Sequence, residues 1–206
     1  FTFITKGIMQ YIEQNYNLNF NSYTIWSSAV SEDFLKEAKK VDNSKFVILH
    51  HGSLEKGRGI MRLINAMPLM SLDDSYNIEL AIAGNGSLVE KIKDISIDNS
   101  SNIKFYGQLD KVQIINLIDS ANLCVIPFDD SIANNTSSPL KLMEYIARNK
   151  IILATRLRNF KDNFQNYSGL YFLNSNNSNE IAHSLSEFVR EYIYYIEKQD
   201  ITEEQV

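Results

Sequence analysis

The sequence predicts an α/β fold in which a doubly wound parallel sheet carries helices on both faces. Two observations lead to this prediction. From Lys45 onward, short apolar runs alternate with longer segments whose apolar side chains recur at helical spacing. The short runs do not alternate apolar with polar residues, which is typical of central parallel strands that are buried on both faces. Such alternation of strands and helices produces a parallel sheet with right-handed crossovers.

The residues before Lys45 indicate the end of a separate unit. The opening residues have the composition of a helix interior, a helix is predicted over residues 6–15, and a short strand over residues 23–26. A linker is expected over residues 37–45. Because the chain opens on Phe1 without a methionine, we expect it to be a fragment of a longer protein.

The rest of the chain is expected to form one complete domain. Its predicted strands are residues 46–49, 78–82, 103–106, 123–126, 151–154 and 170–173. Its predicted helices are residues 60–68, 88–96, 112–120, 140–148 and 180–196. The chain therefore divides into an amino-terminal remnant with its linker (1–44), a Rossmann-like domain (45–197) and a polar tail (198–206).

Local signals support two of the helix starts. Asp110 with Gln113, and Asn177 with Glu180, have the spacing of a capping box, in which two side chains satisfy free amides at a helix start. The Asn/Ser-rich stretches at residues 98–101 and 174–179 are expected to be loops.

Composition excludes several classes of function. The 206 residues are 44% hydrophobic and 22% charged, with a formal net charge of −5 and no Lys/Arg cluster, so nucleic acid is not expected as a partner. The single cysteine, Cys124, lies in an apolar run and is expected in the core. No apolar run is long enough for a membrane span and no signal peptide opens the chain, so a cytoplasmic location is expected.

The stretch from Ser138 to Asn149 predicts a ligand site. Ser138 is a good N-cap and Pro139 suits the first helical position, so a helix is expected to begin at Pro139. Lys141 and Glu144 share one face near that start, where free amides and the helix dipole favour an anion such as a phosphate. Asn149 is placed to end the helix before the next strand.

Other candidate residues follow the predicted strands, because ligands bind beyond the carboxyl ends of strands in this type of sheet. A glycine-rich turn over residues 50–59 carries two cations, Lys56 and Arg58, and could bind a phosphate. Alternatively, the two charges are only solvated at a helix start. The later turns over residues 83–87 and 105–109 could bind a ligand or act only as tight turns. A polar loop over residues 127–137 is long enough to cover a ligand.

These motifs resemble the carboxy-terminal half of retaining GT-B glycosyltransferases of family 4, also called group 1. In that family a Glu-x7-Glu motif ends on a glutamate that holds the ribose of a sugar nucleotide, and Glu144 matches it, whereas Thr136 occupies the first position. Lys56-Gly57 resembles a Lys-Gly pair that clasps the diphosphate. The resemblance therefore implies catalytic roles for Lys56 and Glu144.

The same resemblance implies a set of donor-binding residues. Arg58 would replace the arginine that the family has where this chain has Ser53, and Gln108 would meet the nucleobase. The implied donor-binding residues are Gly52, Ser53, Arg58, Gly84, Gly86, Gln108, Asn135, Thr136, Ser138, Leu140 and Lys141. No metal is implied, and adjacent His50 and His51 would make a poor chelate because neighbours on a strand point to opposite faces.

The function implied by the resemblance is retaining, hexosyltransferase-type transfer of a sugar from a nucleotide-diphosphate sugar, a substrate, with no cofactor. The acceptor would be a polysaccharide, a lipid-linked sugar or a protein, as in cell-envelope polysaccharide biosynthesis, and the missing domain would bind it. That domain could also contact the inner face of a membrane, and without it the chain is expected to be inactive. Two alternatives stay open: a degenerate nucleotide-binding or regulatory module, and another Rossmann-like nucleotide-sugar enzyme such as an epimerase.

Overall fold

The computed structural model describes residues 1–38, 41, 44–73, 76–97 and 102–203, the last nine of them by their backbone alone. The predicted loop at residues 98–101 and the middle of the predicted linker, residues 39–40 and 42–43, lie outside the described residues.

The first 25 residues form a small strand–helix–strand unit. Strand β1 (Thr2–Phe3) pairs in parallel with β2 (Thr24–Ile25), and helix α1 (Lys6–Tyr16) connects them. The prediction that the opening residues are helix interior was wrong, because the hydroxyl of Thr5 accepts a hydrogen bond from the Ile8 amide at 3.1 Å and so starts the helix at Lys6.

Six parallel strands form the main sheet. They are β3 (Phe46–Ser53), β4 (Ile78–Asn85), β5 (Ile103–Phe105), β6 (Leu123–Ile126), β7 (Ile151–Thr155) and β8 (Leu170–Leu173). Their order across the sheet is β5-β4-β3-β6-β7-β8, and every adjacent pair is parallel. All six predicted strands are therefore confirmed, and the doubly wound topology with them.

Helices cover both faces of this sheet. They are α2 (Ile60–Ala66), α3 (Val89–Ile97), α4 (Lys111–Ser120), α5 (Ile132–Thr136), α6 (Leu140–Ala147), α7 (Arg158–Phe164) and α8 (Ser178–Glu203). Helices α2, α3 and α8 contribute to one buried cluster, which includes Ile48 and Val125. Helices α4, α6 and α7 contribute to a second cluster, which includes Leu49 and Cys124. Alternate side chains of a strand such as β6 thus enter different cores, which is why the central strands are mostly apolar in sequence.

The strand order places a switch point between β3 and β6. The chain moves outward from β3 to β4 and β5, and from β6 it moves the other way to β7 and β8. The connections that leave β3 and β6 therefore diverge and open a crevice at the carboxyl ends of these two strands. Ligands bind in such a crevice in sheets of this type.

The local structure differs from the prediction at several helices. Helices α5 and α7 were not predicted, because each is shorter than two full turns and offers few apolar residues to set a period. Helix α8 runs from Ser178 to Glu203, longer at both ends than predicted. None of the helices in the described part of the chain is both long and apolar enough to cross a membrane.

Both predicted helix-start pairs form hydrogen bonds. The Asp110–Gln113 capping box is complete in both directions. Asn177 accepts from the Glu180 amide at 2.9 Å, but the Glu180 carboxylate accepts from the Asn174 amide at 3.3 Å instead of from Asn177. The capping box at Asp110 is therefore confirmed. In the second pair, only the hydrogen bond from the Glu180 amide to the side chain of Asn177 is confirmed.

Candidate functional site

A cavity of about 490 Å³ lies at the switch point of the main sheet. Its walls come from the end of β3, the turn before α2, the loop after β6 and the start of α6. Charged side chains line it from two directions, Arg58 from the turn and Lys141 and Glu144 from α6. These three residues, which the sequence places far apart, are brought together by the fold.

Phe128 forms an aromatic surface in this cavity. The Cζ atom of Arg58 lies 4.6 Å from the centroid of its ring, and the Nζ atom of Lys141 lies 5.0 Å from it. An aromatic face attracts cations within this range. Phe128 therefore contacts both basic side chains without neutralising either one.

Arg58 is fixed by a buried asparagine. Its Nη1 donates to Oδ1 of Asn134 at 2.8 Å, and Nδ2 of Asn134 donates to the carbonyls of Gly57 at 3.2 Å and Asp129 at 2.9 Å. Asn134 belongs to α5 and to the polar loop after β6. The amide thus ties that loop to the turn and holds the guanidinium over the cavity.

Lys141 is buried beside His50 and Gly52. Its ammonium group lies 3.5 Å from Nε2 of His50, and a Cβ added to Gly52 would lie 3.2 Å from its Cε and Nζ atoms. Burial, with the charge of Arg58 as a second cause, lowers the pKa of Lys141 to about 7. Lys141 is therefore poised to gain a proton when an anion enters the cavity.

Glu144 accepts a hydrogen bond from a histidine that sequence reasoning did not place in the donor site. Nε2 of His51 lies 2.8 Å from Oε2 of Glu144, and Nδ1 of His51 lies 2.8 Å from the hydroxyl of Tyr145. The sequence signal that points to His51 is its place near the end of the first long strand, because ligands bind beyond the carboxyl ends of such strands.

The two histidines engage different partners. His50 places Nδ1 at 2.9 Å from the Val125 carbonyl, so its Nδ1 carries the hydrogen and Nε2 faces Lys141. Burial lowers the pKa of His50 well below its ordinary value. Among the described residues, no group of three or more His, Cys, Asp or Glu side chains is arranged to hold a metal ion.

Helix α6 begins one residue later than the sequence predicted. Pro139 is extended, with ψ of 110°, and its carbonyl accepts from the Leu142 amide at 3.2 Å, so Leu140 is the first helical residue. Ser138 lines the cavity but does not cap the helix. The prediction of Ser138 as N-cap and Pro139 as first helical residue was therefore wrong. The prediction that Asn149 ends the helix is confirmed by its left-handed φ of 52°.

The structure leaves Lys56 outside the cavity. Its side chain is exposed and is not among the residues that line the space around Glu144, whereas Gly52, Ser53 and Arg58 are. The difference arises because residues 56–58 form a turn of 3-10 helix, which directs successive side chains to different sides.

The predicted glycine turn after β4 serves packing in this structure. Gly84 has φ of 141°, and a Cβ there would come within 1.8 Å of the Gly52 carbonyl oxygen. The Gly86 amide donates to Oδ1 of Asn85 at 2.8 Å. Gln108 is exposed, and its Oε1 accepts from Nδ2 of Asn85 at 3.2 Å. Gly84, Gly86 and Gln108 therefore lie at the ends of neighbouring strands and do not line the cavity.

Asn135 and Thr136 also lie outside the cavity. The hydroxyl of Thr136 donates to the Ile132 carbonyl at 2.9 Å, and Oδ1 of Asn135 accepts from the Arg158 amide at 2.7 Å. Both line a separate space of about 310 Å³ between α1 and α5. Of the predicted site residues, the structure thus gathers Gly52, Ser53, Arg58, Ser138, Leu140, Lys141 and Glu144 around one cavity.

Comparison with known proteins identifies related folds. Residues 31–205 match the sequence model of the family described as glycosyl transferases group 1. No curated protein sequence matches the chain.

Among solved structures, a glycosyltransferase from Rickettsia africae ESF-5 superposes with a TM-score of 0.72 at 14% identity, covering 92% of this chain and 52% of that one. WaaG, a glycosyltransferase involved in lipopolysaccharide biosynthesis, superposes with a TM-score of 0.71 at 14% identity, covering 92% of this chain and 53% of that one. The catalytic domain of cholesterol-α-glucosyltransferase from Helicobacter pylori superposes with a TM-score of 0.57 at 16% identity, covering 73% of this chain and 90% of that one. The chain thus spans about half the length of the first two. These likenesses confirm the predicted α/β fold.

Proposed function

The chain belongs to the glycosyl transferases group 1 family, and we propose that it is the donor-binding half of a glycosyltransferase. In this proposal the cavity at the switch point binds a nucleotide-diphosphate sugar as substrate. The observation that carries the proposal is the convergence of two cations, Arg58 and Lys141, with one carboxylate, Glu144, around that cavity.

The two cations suit a diphosphate. Both side chains lie over Phe128, Arg58 as a cation and Lys141 as a group that gains its proton beside an anion, and the first-turn amides of Leu140 and Lys141 have no partners within their own helix. Charged donors and helix amides together form a good site for phosphate oxygens. We assign the diphosphate contacts to Arg58 in place of Lys56, because only Arg58 lines the cavity.

The carboxylate suits the ribose. Glu144 follows Lys141 by three residues on α6, so the two side chains lie on the same side of the helix, one turn apart. A carboxylate accepts hydrogen bonds from hydroxyl groups and repels phosphate oxygens, which orients the nucleotide with its ribose toward Glu144 and its diphosphate toward the cations.

The same groups would assist the reaction. When the bond between the sugar and the diphosphate breaks, negative charge grows on the leaving phosphate oxygens. Arg58, Lys141 and the amides of α6 stabilise that charge more strongly in the transition state than in the bound donor, which lowers the barrier. We propose retention through attack from the same face, with the leaving phosphate taking the proton of the acceptor hydroxyl, a route that needs no nucleophilic side chain.

The acceptor belongs to the part of the enzyme that this chain does not span. We propose hexosyl transfer to a polysaccharide, a lipid-linked sugar or a protein at the cytoplasmic face of a membrane, because a relative of this fold, WaaG, is involved in lipopolysaccharide biosynthesis. Domain boundaries after residues 44 and 197 are part of the same proposal.

A degenerate nucleotide-binding module is the second candidate, and one observation favours it. The side chains expected beside the donor sugar already have partners in the protein: Thr136 donates to Ile132, and Asn135 contacts Asp130, Ser131 and Arg158. A chain of this kind would bind nucleotide and lack transfer activity in the complete protein.

Calorimetric titration with UDP, GDP and ADP tests the proposal. One of the three nucleotides is expected to bind, and Glu144→Gln is expected to weaken its binding free energy by about 1–3 kcal/mol. Glu187→Gln, an exposed carboxylate on α8, is the matched control and should leave binding unchanged. Absence of binding at millimolar concentration would contradict the proposal. Binding without sugar transfer, once the chain is joined to its amino-terminal half, would favour the degenerate module.

A further inference from the structure

A closed series of hydrogen bonds runs from the backbone of β3 to the carboxylate of Glu144. The His51 amide donates to the Tyr145 hydroxyl oxygen at 3.3 Å, that hydroxyl lies 2.8 Å from Nδ1 of His51, and Nε2 of His51 lies 2.8 Å from Oε2 of Glu144. The ring of His51 also packs edge-on against the ring of Tyr145, with centroids 5.0 Å apart. His51 therefore has a partner for each of its nitrogen atoms.

These partners fix where the hydrogens lie. An ionised carboxylate only accepts, so Nε2 of His51 must donate to Glu144. In a neutral ring Nδ1 then accepts, and the Tyr145 hydroxyl donates to it while accepting from the His51 amide. Burial lowers the pKa of His51, although the hydrogen bond to Glu144 opposes that shift. Burial raises the pKa of Tyr145 and so keeps its hydroxyl hydrogen in place.

The side chains of this series have little freedom to move. His51 is 5% exposed and Tyr145 is fully buried, so neither ring can rotate without displacing the core. Glu144 is only partly buried and lines the cavity. Without His51, the Glu144 side chain would be free to take other rotamers toward solvent or toward the ammonium of Lys141.

We propose that His51 is a positioning residue that holds Glu144 for the ribose hydroxyls, with Tyr145 holding His51 in turn. This inference rests on the proposed function. One carboxylate oxygen of Glu144 is occupied by His51, which leaves the other to accept from a hydroxyl of the ligand. A nucleotide without ribose hydroxyls would leave that oxygen unpaired, so His51 contributes to selection of ribonucleotides over deoxyribonucleotides.

The test compares two ligands on four chains. The nucleoside diphosphate that binds best and its 2′,3′-dideoxy form are titrated into the wild type, His51→Leu, His51→Gln and Tyr145→Phe. The wild type is expected to prefer the ribose form by about tenfold to a hundredfold, as for hydrogen bonds to a charged group. His51→Leu should lose most of that preference while it binds the dideoxy form as the wild type does.

The other two variants separate positioning from structure. His51→Gln keeps an N–H donor near the place of Nε2 and should recover part of the preference. Tyr145→Phe keeps the ring volume but removes the hydroxyl, and should reduce the preference by less than His51→Leu does. A purely structural role would weaken both ligands equally and leave the preference unchanged.

A readout that needs no ligand completes the test. Nitrogen-15 NMR of the wild-type imidazole should show a protonated Nε2 and an unprotonated Nδ1 in His51. The opposite tautomer, or an unchanged ribose preference in folded His51→Leu and Tyr145→Phe, would overturn the inference while nucleotide binding stands. If no nucleotide binds to the wild type, both the proposed function and the role of His51 are contradicted.

Discussion

Arg58 and Lys141 stand over the same aromatic ring. Their terminal groups lie 4.6 and 5.0 Å from the centroid of the Phe128 ring, although 83 positions separate the two residues along the chain. Burial disfavours the charged form of Lys141, and the positive charge of Arg58 adds to that cost. An anion beside them would offset these costs, which supports the proposal that the cavity binds a phosphate-bearing ligand.

The first prediction concerns the two cations of the glycine-rich turn. Arg58→Ala should weaken binding of a nucleoside diphosphate by about 1–3 kcal/mol, because it removes a charge-assisted hydrogen bond from the cavity. Lys56→Ala should change the affinity by less than about 0.5 kcal/mol, since an exposed charge outside the cavity is screened by water. Calorimetry on both variants measures the difference. Equal losses of affinity in the two variants would mean that Lys56 also contacts the diphosphate, as the sequence predicts.

The second prediction concerns the pH dependence of binding. The pKa of Lys141 is about 7 in the free chain, and a bound diphosphate raises it because an opposite charge favours the protonated form. Binding therefore takes up a proton above pH 7, and affinity should fall by up to about tenfold per pH unit there.

The check is calorimetric titration at about pH 8 in two buffers that differ in ionisation enthalpy. The wild type should take up a fraction of a proton, and Lys141→Met should take up less. Identical proton uptake in both chains would show that Lys141 does not titrate on binding.

The third prediction concerns stability. Arg148 and Asp119 form a buried bidentate ion pair, with both hydrogen bonds at 2.7 Å, and Arg148 also donates to the carbonyls of Phe34, Lys36 and Glu37. Arg148→Met removes the ion-pair partner of a buried carboxylate, so it should lower the free energy of unfolding by about 3–5 kcal/mol.

Urea unfolding followed by circular dichroism measures that loss. The control is Arg158→Met, which breaks a pair with Asp162 whose side chains are both more than half exposed, and which should cost less than about 1 kcal/mol. Similar costs for the two variants would mean that the buried pair contributes no more than a surface pair.

The fourth prediction concerns the glycine turn after β4. Gly84→Ala should destabilise the chain by more than about 3 kcal/mol, because the new Cβ would collide with the Gly52 carbonyl and φ is 141°. Gly107→Ala has φ of 70° but open space around the new Cβ, so it should cost only about 1–2 kcal/mol. Thermal unfolding of both variants makes the comparison, and a smaller loss for Gly84→Ala would refute the packing role.

The sheet could be predicted from sequence because most of its strands contain an apolar run of four residues or more. Cys124 and Val125 enter opposite cores, so no polar residue interrupts β6. The short helices α5 and α7 could not be predicted, since their stability comes from caps and contacts with distant segments. One such contact is the hydrogen bond from Asn159 of α7 to the Ser137 carbonyl.

The candidate site was predicted in part for a similar reason. Glu144 and Lys141 lie on one helix, so spacing alone placed them together. Whether Lys56 or Arg58 enters the cavity depends on one turn of 3-10 helix and on Asn134, 76 positions further along the chain from Arg58. No local pattern assigns His51 to the donor site, because its partners Tyr145 and Glu144 come from another element.

The location of bound nucleotide decides whether the cavity at the switch point is the donor site. Amide chemical shifts of the isotopically labelled chain would be recorded with increasing amounts of the nucleoside diphosphate that binds best. We expect the largest changes at Gly52, Ser53, Leu140 and Lys141, around the cavity at the switch point. Changes centred instead on the space of about 370 Å³ beside Thr5 and Asn159, or no saturable change at all, would contradict it.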